Sequence, residues 1–286
     1  MLCNICPRKC NIDRTVSTGF CACFGDPSVV RAAPHYGEEP CISGTKGSGA
    51  VFFSGCNLKC SFCQNHSISR RSTGRTVNSH ELSDILLRLQ DEGVHNINLV
   101  TGTHFTPVIA KALEEAKLGI PVVWNSSAYE LPETLKMLDG LVQIYMPDYK
   151  YADHSLARKY SLAEDYPEIA AAAIEEMFRQ CGEYQLNNGI MVSGVLIRHL
   201  ILPSYSDNSM DVIDFVADHY GDKVLFSLMS QFTPMPGCDI IEKVSEDENS
   251  LLIHYMRQRH LSGFSQDSSS ATEELIPDFN LQGVQI

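Results

Sequence analysis

Cys56, Cys60 and Cys63 stand at C-x3-C-x2-C spacing in the stretch Gly55-Cys-Asn-Leu-Lys-Cys-Ser-Phe-Cys-Gln-Asn65, directly behind the apolar run Ala50-Val-Phe-Phe53. Three thiolates can each hold one iron of a [4Fe–4S] cubane and leave the fourth iron open to a ligand that is not protein. An open iron is a place for chemistry. Zinc is the competing ion, and it needs a fourth ligand, which His66 alone offers locally. Three unliganded thiols are the remaining reading. The cluster is preferred because the motif follows a predicted strand, the context such a loop requires.

A second group, Cys3-x2-Cys6-Pro-x2-Cys10 and Cys21-x-Cys23, places five of the eleven cysteines within the first 24 residues. Cys3, Cys6, Cys10 and Cys21 supply four ligands to one further centre, with Cys23 as the substitute. Zinc and a second iron–sulfur cluster both fit that spacing, whereas free exposed thiols in such density would be a liability. Cys41 reads as a lone core thiol. Glu38 and Glu39 read as a solvated pair on a turn rather than a catalytic pair.

The cluster motif, with the aromatic Phe62 before its last cysteine, resembles the defining motif of the radical S-adenosylmethionine (SAM) superfamily. The resemblance implies that the amine and carboxylate of SAM chelate the open iron. One electron from the cluster then splits the sulfonium to methionine and a 5′-deoxyadenosyl radical, which takes hydrogen from a substrate. Within the superfamily the chain resembles the pyruvate formate-lyase activating enzyme-like subgroup. That likeness rests on the N-terminal cysteine block, on Glu38-Glu-Pro-Cys-Ile-Ser-Gly44 and on Ile276-Pro-Asp-Phe-Asn280. One departure is that several glycyl-radical activases carry a cysteine-rich insert after the cluster motif, whereas this block precedes it.

The elements that must position these residues alternate between strand and helix from residue 50 onward, the pattern of a parallel sheet wrapped by helices. Predicted strands are Ala50–Ser54, 96–100, 121–124, 141–146, 194–202 and 224–229. Between them, Asn78 with Glu81 opens a helix that carries Leu82, Ile85, Leu86 and Leu89 and stops near Gly93. Pro107 opens the next, closed at Gly119. Others are predicted after Pro132, at 153–160, 167–181 and 207–219, and from Ser245. Residues 25–49 read as a connector with one or two short strands, and Ser265–Ser270 as a loop. Six strands fall short of the eight of a full barrel. Periodicity alone leaves a doubly wound sheet open; the family resemblance implies an α/β partial (β/α)6 TIM-type barrel. The expected division is a small cysteine-rich metal-binding extension at 1–49, the barrel at 50–260 and a C-terminal tail at 261–286.

Ligand sites in such sheets form at the carboxyl ends of the strands. After the second strand comes Thr101-Gly-Thr-His104, where radical SAM proteins often carry a Gly-Gly-Glu-Pro segment that holds the SAM amine. Gly102 matches it, with Thr103 and His104 as replacements. After the third and fourth strands come Asn125-Ser-Ser127 and Asp148-Tyr-Lys150. By resemblance to the activating enzymes, Asn125, Ser127 and Asp148 approach the SAM carboxylate and ribose, in some members through a monovalent cation. Asn125 replaces an aspartate there and weakens the cation reading. Arg198 is a charge inside an otherwise apolar strand, which must meet an anion if it points inward. The resemblance makes that anion the SAM carboxylate, so that removing Arg198 should leave the fold intact. Phe62 joins the cofactor-binding set, and Ser230-Gln231-Phe232 can reach adenine or substrate.

Hydrophobic residues make up 44% and charged residues 20%, the composition of a folded protein. A formal charge of −13 disfavours nucleic acid and anionic membranes as partners. With no basic leader and no apolar run of about 18 residues, the chain is expected in the reducing cytoplasm, where cysteines serve metals rather than disulfides. The leading expectation is an anaerobic oxidoreductase of the activating type. Its partners would be a glycyl-radical enzyme as protein substrate and a flavodoxin- or ferredoxin-type reductant. Radical chemistry on a small molecule or peptide is the alternative, and a non-catalytic iron–sulfur electron carrier the third.

Overall fold

The computed structural model describes residues 2–266 and 277–284. In chain order the elements are β1 (Ser28–His35), α1 (Pro40–Ser43), β2 (Ser48–Phe53), α2 (His66–Ser69), β3 (Arg75–Thr76), α3 (Ser79–Asp91), β4 (Ile97–Val100), α4 (Thr106–Ala116), β5 (Val122–Ser126) and α5 (Pro132–Leu135). They continue with β6 (Ile144–Pro147), α6 (His154–Ser161), α7 (Tyr166–Cys181), β7 (Gln185–Asn187), β8 (Ile190–Leu200), α8 (Ser206–His219), β9 (Leu225–Met229), α9 (Glu246–Gln258) and β10 (Gly263–Ser265).

One sheet runs in the order β10-β9-β8-β6-β5-β4-β2-β1-β3. From β2 to β10 each neighbouring pair is parallel, while β1 lies antiparallel on β2, and β3 antiparallel on β1. The two ends of this order, β10 and β3, are not paired with each other, so the sheet is open. This is the α/β architecture of a partial barrel. β4, β5, β6 and β9 are buried at every residue, as strands covered on both faces must be. Helix starts follow local chemistry: Asn78 and Glu81 form a reciprocal capping box on α3, the Asp153 carboxylate caps α6, and the Ser245 hydroxyl caps α9.

Four features differ from the sequence expectation. Of residues 25–49, 28–35 and 48–49 are part of the sheet, since β1 pairs along β2 from Val29 to His35. Helix α4 ends at Lys117 in the left-handed region, before Gly119. Strand β8 begins at Ile190, because its first residues form an antiparallel hairpin with β7. At Gly194 (φ +111) it passes to the parallel sheet, and a Cβ there would stand 2.3 Å from Tyr184 Cα. Finally, Gly263–Ser265 adds a further parallel strand on β9 where a loop and tail were expected; residues 267–270 of that loop lie outside the described residues. Residues 277–284 return to β1: Leu281 N–H bonds to Val30 O, Ala32 N–H to Gln282 O, and Phe279 packs edge-on against Phe52.

Candidate active site

The carboxyl ends of the parallel strands converge on a cavity of about 230 Å³ lined by Cys56, Cys60 and Cys63, with Phe62, Asn125, Ser127, Asp148 and Arg198. Tertiary structure thus joins the cluster motif to four strand-end residues that lie 62 to 142 positions farther along the chain, in a single concavity. His66 does not join them. It is exposed on α2 and lines a neighbouring surface hollow with Ser61 and Arg70, so the zinc arrangement loses its fourth ligand.

Arg198 is the centre of the polar network. Its Nε donates to Asp148 Oδ1 at 2.9 Å, Nη1 to Glu38 Oε2 at 3.0 Å and Nη2 to Asn125 Oδ1 at 2.7 Å. Glu38 Oε1 also accepts from Asn98 at 2.9 Å and Asn125 at 3.2 Å, and Lys150 Nζ donates to Asp148 Oδ2 at 2.7 Å. The guanidinium therefore meets its anions within the protein, which corrects the expectation that SAM supplies them. It also fills the space between Asn125 and Asp148 where the resemblance placed a cation.

The solvated Glu38-Glu39 turn is a second correction. The Glu38 side chain is 9% exposed and belongs to the site. Burial raises the Glu39 carboxyl above its usual range against the pull of Arg198, and Glu38 raises it further. Burial also pushes Asp148 up, but Arg198 and Lys150 outweigh it and hold its carboxyl below the ordinary value.

Of Thr101-Gly-Thr-His104, Thr101 lines the cavity, held at φ +62. The expected contacts from the other three are not made there. A Cβ on Gly102 would meet Ile109 at 2.8 Å and Trp124 at 2.9 Å, so this glycine serves close packing. Thr103 Oγ1 donates to buried Glu130 at 2.8 Å. His104 is 2% exposed with Nε2 on Ser54 O at 2.9 Å, and burial pushes its pKa down to about 3. Both are buried away from the cavity, where a protonated or ligand-binding role has no access. Gln231 lines the cavity, whereas Phe232 packs beneath Phe62 and Ser230 donates to Gln266 O. Sequence reasoning missed Glu38, Thr101 and Gln64 as cavity residues and left Lys150 outside the cofactor set; the Asp-x-Lys spacing was the available signal for Lys150.

The N-terminal cysteines fold beneath the cluster loop. Burial pushes the Cys6 thiol up to about 11, with Cys21, Cys10 and Cys3 near enough to raise it further. Cys23 is fully buried and donates to Ser54 O. Interaction with Cys23 lowers Cys21 to about 6, and the Arg14 guanidinium assists. Arg8 staples the block to the loop: Nε donates to Asn57 O at 2.8 Å, Nη2 to Ser161 O at 2.9 Å, and the guanidinium lies 3.9 Å over Phe20. Among the described residues, no three His, Cys, Asp or Glu side chains close on one point as they would around a single metal ion.

The family model described as the radical SAM superfamily matches residues 50–216, more than half of the chain. The chain belongs to the radical SAM superfamily, and its cofactors are a [4Fe–4S] cluster and S-adenosylmethionine. An uncharacterised protein of Methanocaldococcus jannaschii is 29% identical over 244 residues, covering 81% of this chain and 66% of its own length. The chain thus spans slightly under two thirds of that relative. A radical SAM methyltransferase from Sphaerobacter thermophilus shares the fold at a TM-score of 0.50 and 15% identity, covering 78% of this chain and 68% of its own. Methylornithine synthase does so at 0.50 and 16%, covering 76% and 70%.

The cavity fits the cluster. All three thiols line it, and burial pushes Cys60 to about 12 and raises Cys63, a setting in which a bound cation favours the thiolate. Among the described residues no helix is long and apolar enough to cross a membrane.

Proposed function

We propose that Cys56, Cys60 and Cys63 hold the [4Fe–4S] cluster and that the cavity beside them binds SAM for hydrogen abstraction from a protein glycine, in the manner of the glycyl-radical activating enzymes. The observation that carries the proposal is the convergence of the three cysteines with Asn125, Ser127, Asp148 and Lys150 on one cavity. When bound, the cluster supplies one electron to the SAM sulfonium. Phe62, backed by Tyr151, Tyr160 and Phe232, gives the cavity a rigid apolar wall. Lys150 spends one N–H on Asp148 and has two more to offer the SAM carboxylate. Asn125 and Asp148 are held at the cavity by Arg198, each with acceptor capacity left that could serve the ribose hydroxyls. A one-electron carrier of flavodoxin or ferredoxin type would deliver the electron.

Protein reconstituted without oxygen should form 5′-deoxyadenosine from SAM and reductant, and the triple Cys56→Ala, Cys60→Ala, Cys63→Ala variant should form none. Incubation with a glycyl-radical enzyme should give the glycyl radical signal in electron paramagnetic resonance. Turnover of SAM with cell extract but no protein radical would transfer the same chemistry to a small molecule or peptide. Parental 5′-deoxyadenosine formation by the triple variant would overturn the ligand assignment.

A further inference from the structure

Sulfur ligands of iron–sulfur clusters carry negative charge that grows on reduction, so hydrogen bonds donated to them stabilise the reduced form and raise the potential. Each proposed ligand has a hydrogen-bonding neighbour: Leu58 N–H lies 3.3 Å from Cys56 Sγ, Ser69 Oγ 3.6 Å from Cys63 Sγ and Ser161 Oγ 3.1 Å from Cys60 Sγ. The Cys60 contact differs in its second link. Ser161 Oγ lies 2.7 Å from the hydroxyl of Tyr151. Both residues are fully buried, and Cys60 is 7% exposed, so water does not compete for these positions.

The proton positions follow from counting. A thiolate bound to iron has no proton and only accepts. Ser161 has one hydroxyl proton, which must go to sulfur, so its oxygen accepts from Tyr151. The chain Tyr151 O–H to Ser161 O–H to Cys60 sulfur therefore runs in one direction, and each donor polarises the next.

The fold is built to hold it. Ser161 ends α6, and the preceding carbonyl, Tyr160 O, accepts from Ser61 N–H of the cluster loop. The Tyr151 ring is fixed between Phe62 and Tyr166 at centroid distances of 6.3 and 5.3 Å.

We infer that Ser161, fed by Tyr151, is a positioning and potential-setting residue of the cluster, acting through Cys60. The inference rests on the assignment of Cys60 as a cluster ligand. Removing the Ser161 hydroxyl makes the cluster harder to reduce, and removing the Tyr151 hydroxyl does the same to a smaller degree, because its 2.7 Å hydrogen bond goes to Ser161.

The test is a mediated redox titration of the full-length reconstituted protein, followed by electron paramagnetic resonance. The signal that changes when SAM is added marks the cluster with the open iron. At a fixed poise, Ser161→Ala should show a several-fold lower reduced-to-oxidised ratio; tenfold would be a shift of about 59 mV for one electron. Tyr151→Phe should shift the same way by less, Ser161→Thr should stay near the parent, and the double variant should match Ser161→Ala alone. A fully loaded Ser161→Ala protein with the parental midpoint overturns the inference, as does a Tyr151→Phe shift that persists in the Ser161→Ala background. Should Ser161→Ala not fold, Tyr151→Phe decides alone, and a parental midpoint there overturns it. A Cys60→Ala control separates the two failures: a SAM-sensitive cluster retained at parental occupancy would refute the ligand assignment instead.

Discussion

Arg198 shows how one residue is read differently once its neighbours are known. A lone guanidinium in an apolar strand needs an anion, and that requirement is visible in the sequence. Which anion meets it depends on Glu38, 160 positions earlier, and Asp148, 50 positions earlier. With its side chain 13% exposed, removal leaves the buried Glu38 carboxylate without its ion-pair partner, Asp148 with Lys150 alone, and the Asn125 carbonyl without the guanidinium donor. Arg198→Ala should therefore destabilise the cluster-free protein by about 3–5 kcal/mol, the range for breaking a buried ion pair. Chemical denaturation measures it, and an unchanged unfolding midpoint beside a lost SAM affinity would restore the reading from sequence. The cluster cysteines were legible from three residues and their spacing. The carboxylates that hold Arg198 were not, because Glu38-Glu39 has the same local signature whether its turn faces water or the strand ends.

At the scale of elements, caps and apolar periodicity placed most helices to within a few residues, since those signals are local. The cluster loop depends on a contact that is not. Gly55 has φ +77, and a Cβ on it would lie 2.3 Å from Cys23 Sγ and 2.5 Å from Cys21 O. Gly55→Ala should thus displace the loop from the N-terminal block and lower iron and sulfide bound per chain, measured by elemental analysis; parental loading would show that the loop tolerates the strain.

Strand β8 carries another consequence. His199 Nδ1 bonds to Tyr149 O at 2.7 Å and Nε2 to Ser209 Oγ at 2.9 Å, the pattern of a neutral imidazole between an acceptor and a donor. Burial pushes its pKa down to about 4 from an ordinary 6.5. The unfolded chain then takes up a proton that the fold refuses, so stability is full above pH 6.5 and falls as pH drops from 6.5 toward 4. Each such histidine contributes a slope of about 1.4 kcal/mol per pH unit. Denaturation across that window should lose one proton's worth of slope in His199→Gln, and an unchanged slope would refute the assignment.

At the scale of the whole molecule, the N-terminal cysteines form a block of their own beside the cluster loop. Arg8 and Cys23 fasten this block to the cluster loop, and we propose that Cys3, Cys6, Cys10 and Cys21 bind their own metal there. Elemental analysis of the triple cluster-loop variant isolates it. Retained iron with sulfide would identify an auxiliary cluster and retained zinc a structural site, while absence of both would refute a second centre. Residues 277–284 run beside β1, with Arg88 Nη2 donating to Gly283 O at 2.7 Å and Pro277 lining the cavity. Of the segment singled out by resemblance, Ile276 lies outside the described residues.

The sequence by itself determined the three-thiolate motif and an alternation of strands and helices; the choice of a partial barrel over a doubly wound sheet came from family resemblance. The cluster motif, six of the parallel strands and the positions of the strand ends all follow from spacing and periodicity, which are properties of neighbouring residues. Tertiary structure decided which strand-end side chains enter the cavity. Thr101 faces it, while Thr103 and His104 turn into the core after a left-handed residue that no local pattern announces. It also decided that Glu38 meets Arg198, that Gly263–Ser265 pairs with β9, and that Ser161 reaches Cys60 across 101 positions. The physical reason is common to all of these. Hydrogen bonds and ion pairs between distant segments are set by how the sheet twists and its helices pack, and that geometry is a collective property of the chain.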